Sequence, residues 1–422
     1  GLPLSALVWF GLAIHALNAL TLYGLSLRLG FPGRVGGIAG VVYLTMFVHF
    51  HAYLWPVAVQ HLVAVSTILA LLNLYLLTEE RAEQGKAFGT YYWTAVGVAA
   101  LASLQRSALL GPILMLVHTL SAPRSLRERE ARFDRWLPVW ILCAIYPSVA
   151  LTFVGDTKIT MALLSLPLPP PLRTLALFAA VVGTLLLIRT VLPLWERSSR
   201  LRVVLSGFAA TASAAGIVFW ALWDKRQWVF LYNAAVPFAA TVTSFLEPIR
   251  TAMLIRSTEP HHYIPPQVSV WTLLMAGGLV VAFAALVPKR RGVLAVLACW
   301  YGVCIVWLLR WYTSFPAQLP SRYFIYLSPV FALLFSAVAI HLSAALARRL
   351  RIWGVWSEAG LAALILALCV PNLLAIRLEL FRGRLANTYL IYEDLRLAEN
   401  RREPSGLDPF SVAVGEGQVE LQ

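Results

Sequence analysis

Residues 57–78 read VAVQHLVAVSTILALLNLYLLT, 22 positions without one charged side chain, closed at once by Glu79-Glu80-Arg81. A helix needs about 20 predominantly apolar residues to cross the hydrocarbon core of a bilayer, and this run has that length. A membrane β-strand would alternate apolar and polar residues over about 10 positions, which this stretch does not do. The same unit recurs outward in both directions. Apolar runs fall at 3–29, 37–54, 57–78, 90–104, 107–121, 136–155, 172–194, 203–223, 268–287, 292–312, 323–346 and 355–377, with the 90–121 pair reading as two short helices broken at Gln105-Arg106. The composition agrees: 59% of the 422 residues are hydrophobic and 13% charged, against about 25% charged in soluble domains. Mean hydropathy is +0.74. The chain reads as an all-α, polytopic integral membrane protein of about 12 transmembrane helices.

The formal net charge of +14 does not point to nucleic acid, because its cations are scattered in short clusters between apolar runs and a phosphate-tracking surface needs them together. Read in order, the first loop holds Arg28 and Arg34, and the third Glu79, Glu80, Arg81 and Lys86. The fifth holds Arg124, Arg127, Arg129, Arg132 and Arg135, the seventh Arg197, Arg200 and Arg202. The ninth holds Lys289, Arg290 and Arg291, the eleventh Arg348, Arg349 and Arg351. Alternate loops are the basic ones, which makes them cytoplasmic by the positive-inside rule and puts both chain ends on the outer face. A helix entering from outside at Gly1 leads to the expectation of an upstream span and external loop.

The outer loops carry less charge and more unusual residues. Residues 156–171 include Asp156 and the run Pro167-Leu168-Pro169-Pro170-Pro171, which reads as an extended segment. The longest loop, 224–267, holds Asp224, Glu247, Arg250, Glu259, His261 and His262, and its middle, Trp228 to Leu246, is apolar enough to lie along the membrane surface. From Arg377 the chain turns charged, which separates a membrane domain, 1–380, from a short external tail, 381–422.

Polar residues at membrane depth are expensive and each needs a reason. His49, His51, Trp55, Gln60 and His61 lie at the outer ends of the second and third spans; Gln105 and Arg106 mark the break; Arg322 and Tyr323 open the eleventh span. Together they describe an outward-facing pocket with a cationic lining, suited to a lipid phosphate because a guanidinium donates two hydrogen bonds while staying charged. Each has a plainer reading: an interfacial histidine for His49 and His51, and a helix end snorkelling to the head groups for Arg106. His261-His262 has no ligand pattern around it, and the four cysteines (Cys143, Cys299, Cys304, Cys369) sit singly in apolar runs, so neither a metal site nor a disulfide framework is read here. Glycine-rich phosphate loops and hydrolase motifs are absent.

Four segments resemble the polytopic C-type glycosyltransferases, in particular the transmembrane O-mannosyltransferases that carry tetratricopeptide repeats, and their bacterial relatives. His15-Ala-Leu-Asn18 with Tyr23, running into Arg28-Leu-Gly30, is similar to a His-x-x-Asn-x-x-x-x-Tyr span. Tyr53-Leu-Trp55 through Gln60-His61 stands at the place of a Trp-containing turn that usually precedes a charged pair. Leu101 through Arg106, Pro112 and His118 stands at the place of a Ser-Lys-Glu break and a Pro-containing span. Pro320-Ser-Arg322-Tyr323-Phe-Ile-Tyr326-Leu-Ser-Pro329 is similar to the family's Arg-Tyr-x-Tyr segment. Each motif is short; their shared order is the stronger signal.

The resemblance implies transfer of a sugar from a polyprenyl-phosphate carrier at the outer leaflet to an acceptor, with a first-loop carboxylate as general base and cations on the phosphate leaving group. On this reading Arg106 and Arg322 bind phosphate, and His61, Gln60 and Tyr323 line the pocket. Asp156, Asp224 and Glu247 stand in for a catalytic acid expected upstream of Gly1. The lipid-linked sugar is the donor, membrane lipids and partner subunits are the expected partners, no residue pattern supports a divalent metal, and the bacterial inner membrane is the expected location. Gln60-His61 and Leu104-Gln105-Arg106 depart from the family's charged motifs, which equally fits a catalytically silent subunit of a larger membrane complex. A transporter is disfavoured, since no paired intramembrane charges or interrupted helices recur in two halves.

Overall fold

The computed structural model describes residues 4–46, 59–103, 109–121, 125–153, 169–197, 245, 270–287, 291–314, 325–350 and 354–381. These form α1 (Leu4–Arg28), α2 (Gly33–Thr45), α3 (Val59–Glu83), α4 (Gly89–Ala102), α5 (Leu110–Ser121) and α6 (Leu126–Phe153). After them come α7 (Pro170–Arg197), α8 (Val270–Leu286), α9 (Arg291–Ser314), α10 (Ser328–Leu350) and α11 (Gly354–Phe381), with no strand among the described residues. Among the described residues, five stretches are long and apolar enough to cross a membrane: Val8–Arg28, Val59–Glu83, Pro171–Pro193, Ser328–Leu350 and Val355–Leu374. The expected span 203–223 and the interfacial stretch 228–246, Phe245 apart, lie outside the described residues, as does the tail 382–422.

Helix boundaries follow local chemistry. At the end of α1, Gly30 takes φ 83°, a conformation open to glycine because it lacks Cβ. The turn there returns Gly30 N–H to the Leu27 carbonyl and Phe31 N–H to the Ser26 carbonyl, both at 2.9 Å. Two expectations are corrected at other boundaries. The basic stretch 122–135 is not a loop throughout, because α6 begins at Leu126. Ser125 and Glu128 form a reciprocal capping box, Glu128 N–H to Ser125 Oγ and Ser125 N–H to the Glu128 carboxylate, each at 3.3 Å. Likewise Pro170 and Pro171 open α7 and do not prolong an extended run, since proline's missing N–H is harmless in a first helical turn.

The bundle is organised around α3. Half or more of its apolar window (56%) is buried, against 11% for α7 and α11, so α3 is core while those two turn Leu175, Leu187, Val355 and Trp356 outward to lipid. α1 runs antiparallel to α2 and parallel to α3. Gly36 is what lets α1 and α2 close: a Cβ there would overlap Ser26 Oγ and lie 3.2 Å from the Tyr23 carbonyl oxygen. α2 packs on α10 and α11, α5 on α9, α6 on α7, and α8 on α10. Trp136, Trp300, Tyr43, Tyr75 and Tyr326 are the largest fully buried side chains.

Candidate functional site

Two polar regions of different character lie at opposite ends of the bundle. At the first, charges are held between helices. Glu79 receives Arg132 Nε at 2.8 Å, Arg135 Nη1 at 2.6 Å and the Trp136 indole N–H at 2.7 Å. Arg132 Nη2 reaches Glu83 at 2.7 Å, and its Nη1 donates to the Tyr75 hydroxyl at 3.3 Å. That hydroxyl also meets Thr119 Oγ1 (2.9 Å) and His118 Nδ1 (3.0 Å). Burial opposes the charge of Arg132, but Tyr75, Glu79 and Glu83 outweigh it and hold the guanidinium above its usual pKa. Around this node, Arg28 pairs with Glu80, Arg189 with Glu130 and Asp134, and Arg34 with Glu358. These pairs join the end of α1 to the end of α3, the start of α2 to the start of α11, and α7 to the start of α6, near the basic loops. A crevice of about 160 Å³ opens at the same end, apolar apart from His341 and lined by Leu29, Phe31, Phe283, Val293 and Leu294.

Among the described residues, the opposite end is held by hydrogen bonds. His61, in the first turn of α3, bonds through Nδ1 to the Tyr326 hydroxyl at 2.8 Å. The rings meet edge to face, with centroids 5.7 Å apart. The Tyr326 carbonyl accepts the Trp300 indole N–H at 2.9 Å, so the turn before α10 is tied to α3 by its side chain and to α9 by its backbone. Asn18 of α1 donates to the Leu62 carbonyl at 3.1 Å and accepts from Ser66 Oγ at 2.5 Å. His15 reaches the Leu44 carbonyl through Nε2 at 3.2 Å, near the end of α2.

Of the residues singled out from the sequence, the structure places His61 in this node, 8% exposed, with Gln60 exposed beside it. Arg106, Arg322, Tyr323, Asp156, Asp224, Glu247, His49 and His51 lie outside the described residues. Among the described residues no group of three or more His, Cys, Asp or Glu is placed to hold a metal ion. Tyr326 and Trp300 were not singled out for a role. Tyr326 sits inside the Arg-Tyr-x-Tyr-like segment, where its hydroxyl at membrane depth was the available signal.

The arrangement ties together segments distant in sequence. Asn18 meets Leu62 and Ser66, and His61 meets Tyr326, 265 positions away, through side-chain hydrogen bonds. Chemically, the node is built of an imidazole, a phenol, an indole, a carboxamide and a hydroxyl. Its described groups donate and accept hydrogen bonds but carry no fixed charge, so a phosphate bound at this end needs its cations from elsewhere.

No protein-family model matches the chain, and no curated protein matches it. Among solved structures, three of the Archaeoglobus fulgidus oligosaccharyltransferase, a C-type glycosyltransferase, are similar to it. The apo form gives a TM-score of 0.48 at 12% identity, over 88% of this chain and 44% of that one. The complex with Zn and sulfate gives 0.48 at 14% identity, over 88% and 40%. The form tethered to an acceptor peptide containing the NVT sequon gives 0.46 at 13% identity, over 88% and 43%. This chain therefore spans less than half the length of that enzyme, and all three TM-scores are below 0.5.

Proposed function

We propose that this chain is a membrane glycosyltransferase that moves a sugar from a polyprenyl-phosphate carrier to an acceptor at the outer face. The observation that carries the reading is the hydrogen bond between His61 and Tyr326, with Asn18 bound to the Leu62 carbonyl beside it. Three of the four segments that resemble C-type glycosyltransferases thereby meet at one end of the bundle, opposite the buried ion pairs. In this reading the acceptor oxygen attacks the anomeric carbon, the bond from that carbon to the phosphate oxygen breaks, and the acceptor proton passes to a carboxylate. Asp156, Asp224 and Glu247 are the carboxylates of this chain proposed for that role. Arg106 and Arg322 bind the polyprenyl phosphate and stabilise the charge that grows on it as it leaves. Gln60, His61 and Tyr323 line the pocket.

The same proposal takes the chain to span the membrane about twelve times. Its membrane domain is 1–380 and its tail 381–422, with both ends on the outer face of a bacterial inner membrane. Membrane lipids and partner subunits complete its surroundings.

A second reading, a catalytically silent subunit, is favoured by one observation: His61, at the position of a usual charged pair, is buried and engaged by Tyr326. Transfer assays with the purified protein in liposomes, using a polyprenyl-phosphate sugar, separate the two. The transferase reading expects turnover that falls at least ~100-fold in Arg106→Ala or Arg322→Ala, the scale of removing a charged transition-state ligand. Turnover indifferent to both substitutions removes them from the mechanism, and no turnover with any lipid-linked sugar favours the silent subunit.

A further inference from the structure

The apolar crevice of about 160 Å³ lies at the charged end of the bundle, away from the His61–Tyr326 node. Leu29 and Phe31 of the α1–α2 turn form one side, Phe283 of α8 and Leu294 of α9 the others, and His341 of α10 supplies its polar side chain. The rings of Phe31 and Phe283 meet at a tilt, with centroids 6.5 Å apart. No described residue hydrogen-bonds the His341 imidazole, so a polar group faces apolar walls with its bonding capacity unused. Next to His341, Leu342, Leu346 and Leu350 recur one turn apart on α10 and are exposed, an apolar stripe turned to lipid. Arg348 follows His341 by seven residues, which puts it on the same helix face two turns, about 10 Å, nearer the charged end. Arg348 and Arg349 are exposed, and no carboxylate among the described residues pairs with either. By contrast, Arg28 and Arg34 are held by Glu80 and Glu358.

We propose that this crevice is a site for an anionic phospholipid of the leaflet on the charged side, with part of one acyl chain between α1, α8 and α9 and the phosphate at Arg348 and Arg349. The order of groups along α10 matches the order along such a lipid: apolar walls, then a hydrogen-bonding imidazole, then cations. His341 meets the ester oxygens between chain and phosphate, and the guanidinium groups take the phosphate with paired hydrogen bonds. Unpaired arginines at the end of a membrane helix attract an anionic head group, and the leucine stripe opens the crevice to the bilayer. The volume suits a length of acyl chain and is too small for a helix of another protein. This site stands whether or not the chain transfers sugar.

Native mass spectrometry of the delipidated full-length protein in detergent, titrated with phosphatidylglycerol or with phosphatidylcholine of the same acyl chains, tests the site. The parent should retain a phosphatidylglycerol at concentrations where phosphatidylcholine is lost. Arg348→Ala with Arg349→Ala should weaken that retention by at least ~5-fold, and Leu294→Trp, which fills the crevice, should remove it. Lys86→Ala, which takes away an exposed cation at the end of α3, should leave it unchanged. Equal retention of the two lipids overturns the proposal, as does parent-like retention in both the arginine and the crevice-filling variants. Loss on Lys86→Ala equal to that of the arginine variant also overturns it, since the attraction is then diffuse surface charge. So does displacement of phosphatidylglycerol by millimolar inorganic phosphate with Leu294→Trp still binding as the parent does, which marks a free-phosphate site. If Leu294→Trp does not fold, His341→Phe fills the crevice from its other wall and takes its place, while the arginine variant changes only exposed positions.

Discussion

The imidazole of His61 and the phenol of Tyr326 share a buried hydrogen bond of 2.8 Å across 265 residues of sequence. That bond joins the first turn of α3 to the turn that launches α10, and the Trp300 indole, bound to the Tyr326 carbonyl, adds α9 to the same point. The node thus ties three helices together through hydrogen bonds alone.

Tyr326→Phe leaves the His61 ring without this partner in a buried site. The expected loss is about 1–3 kcal/mol of stability, seen as a lower unfolding temperature in detergent. Because the two groups act on each other, His61→Leu combined with Tyr326→Phe should destabilise by less than the sum of the single variants, with a coupling of ~0.5–3 kcal/mol. Additive effects would mean that the bond contributes nothing.

The charged node gives the opposite contrast. Glu79→Ala removes the carboxylate shared by Arg132, Arg135 and Trp136 and leaves Arg132 buried, so a loss of about 3–5 kcal/mol is expected. Arg28→Ala breaks only the partly exposed pair with Glu80 and should change stability by less than about 1 kcal/mol. Thermal unfolding of both variants in one detergent measures the difference, and equal shifts would contradict it.

Neighbouring glycines on α2 should respond with opposite signs. A Cβ on Gly36 collides with Ser26 and Tyr23 of α1, whereas one on Gly37 meets nothing within 4 Å. Gly36→Ala is expected to destabilise by ~1–3 kcal/mol through overpacking. Gly37→Ala should be neutral or stabilise by up to ~1 kcal/mol, because alanine favours the helix. Comparing the two unfolding temperatures decides it.

Lys86 and Arg349 are exposed near the ends of α3 and α10, at the charged end of the bundle. Introduced singly as cysteines, in a background where Cys143, Cys299, Cys304 and Cys369 are serine, both should react with an impermeant maleimide from the cytoplasmic side only. Labelling of the two positions from opposite sides would break the alternation of basic loops on which the topology rests.

Much of the bundle was legible in the sequence because lipid imposes a length: 3–29, 57–78 and 355–377 correspond to α1, α3 and α11 within a few residues. Failures came where local chemistry outweighed bulk hydropathy. The arginines of 127–135 read as loop, yet the Ser125–Glu128 box starts a helix there and the burial of Phe133 and Trp136 holds it. The site was legible only as a set of expensive polar residues. His61 could be picked out, but its partner could not, because a contact between residues so far apart in sequence leaves no mark in either local pattern. Asn372, buried in α11, shows the same limit: its side chain donates to the carbonyl of Phe245, 127 positions away.

The most direct test of the central claim is sugar transfer by the reconstituted full-length protein from a polyprenyl-phosphate donor, measured for the parent, Arg106→Ala, Arg322→Ala and the double variant. The transferase account predicts measurable turnover by the parent and a drop of at least ~100-fold in each arginine variant, with the fold intact by thermal unfolding. Undiminished transfer by the double variant would contradict it.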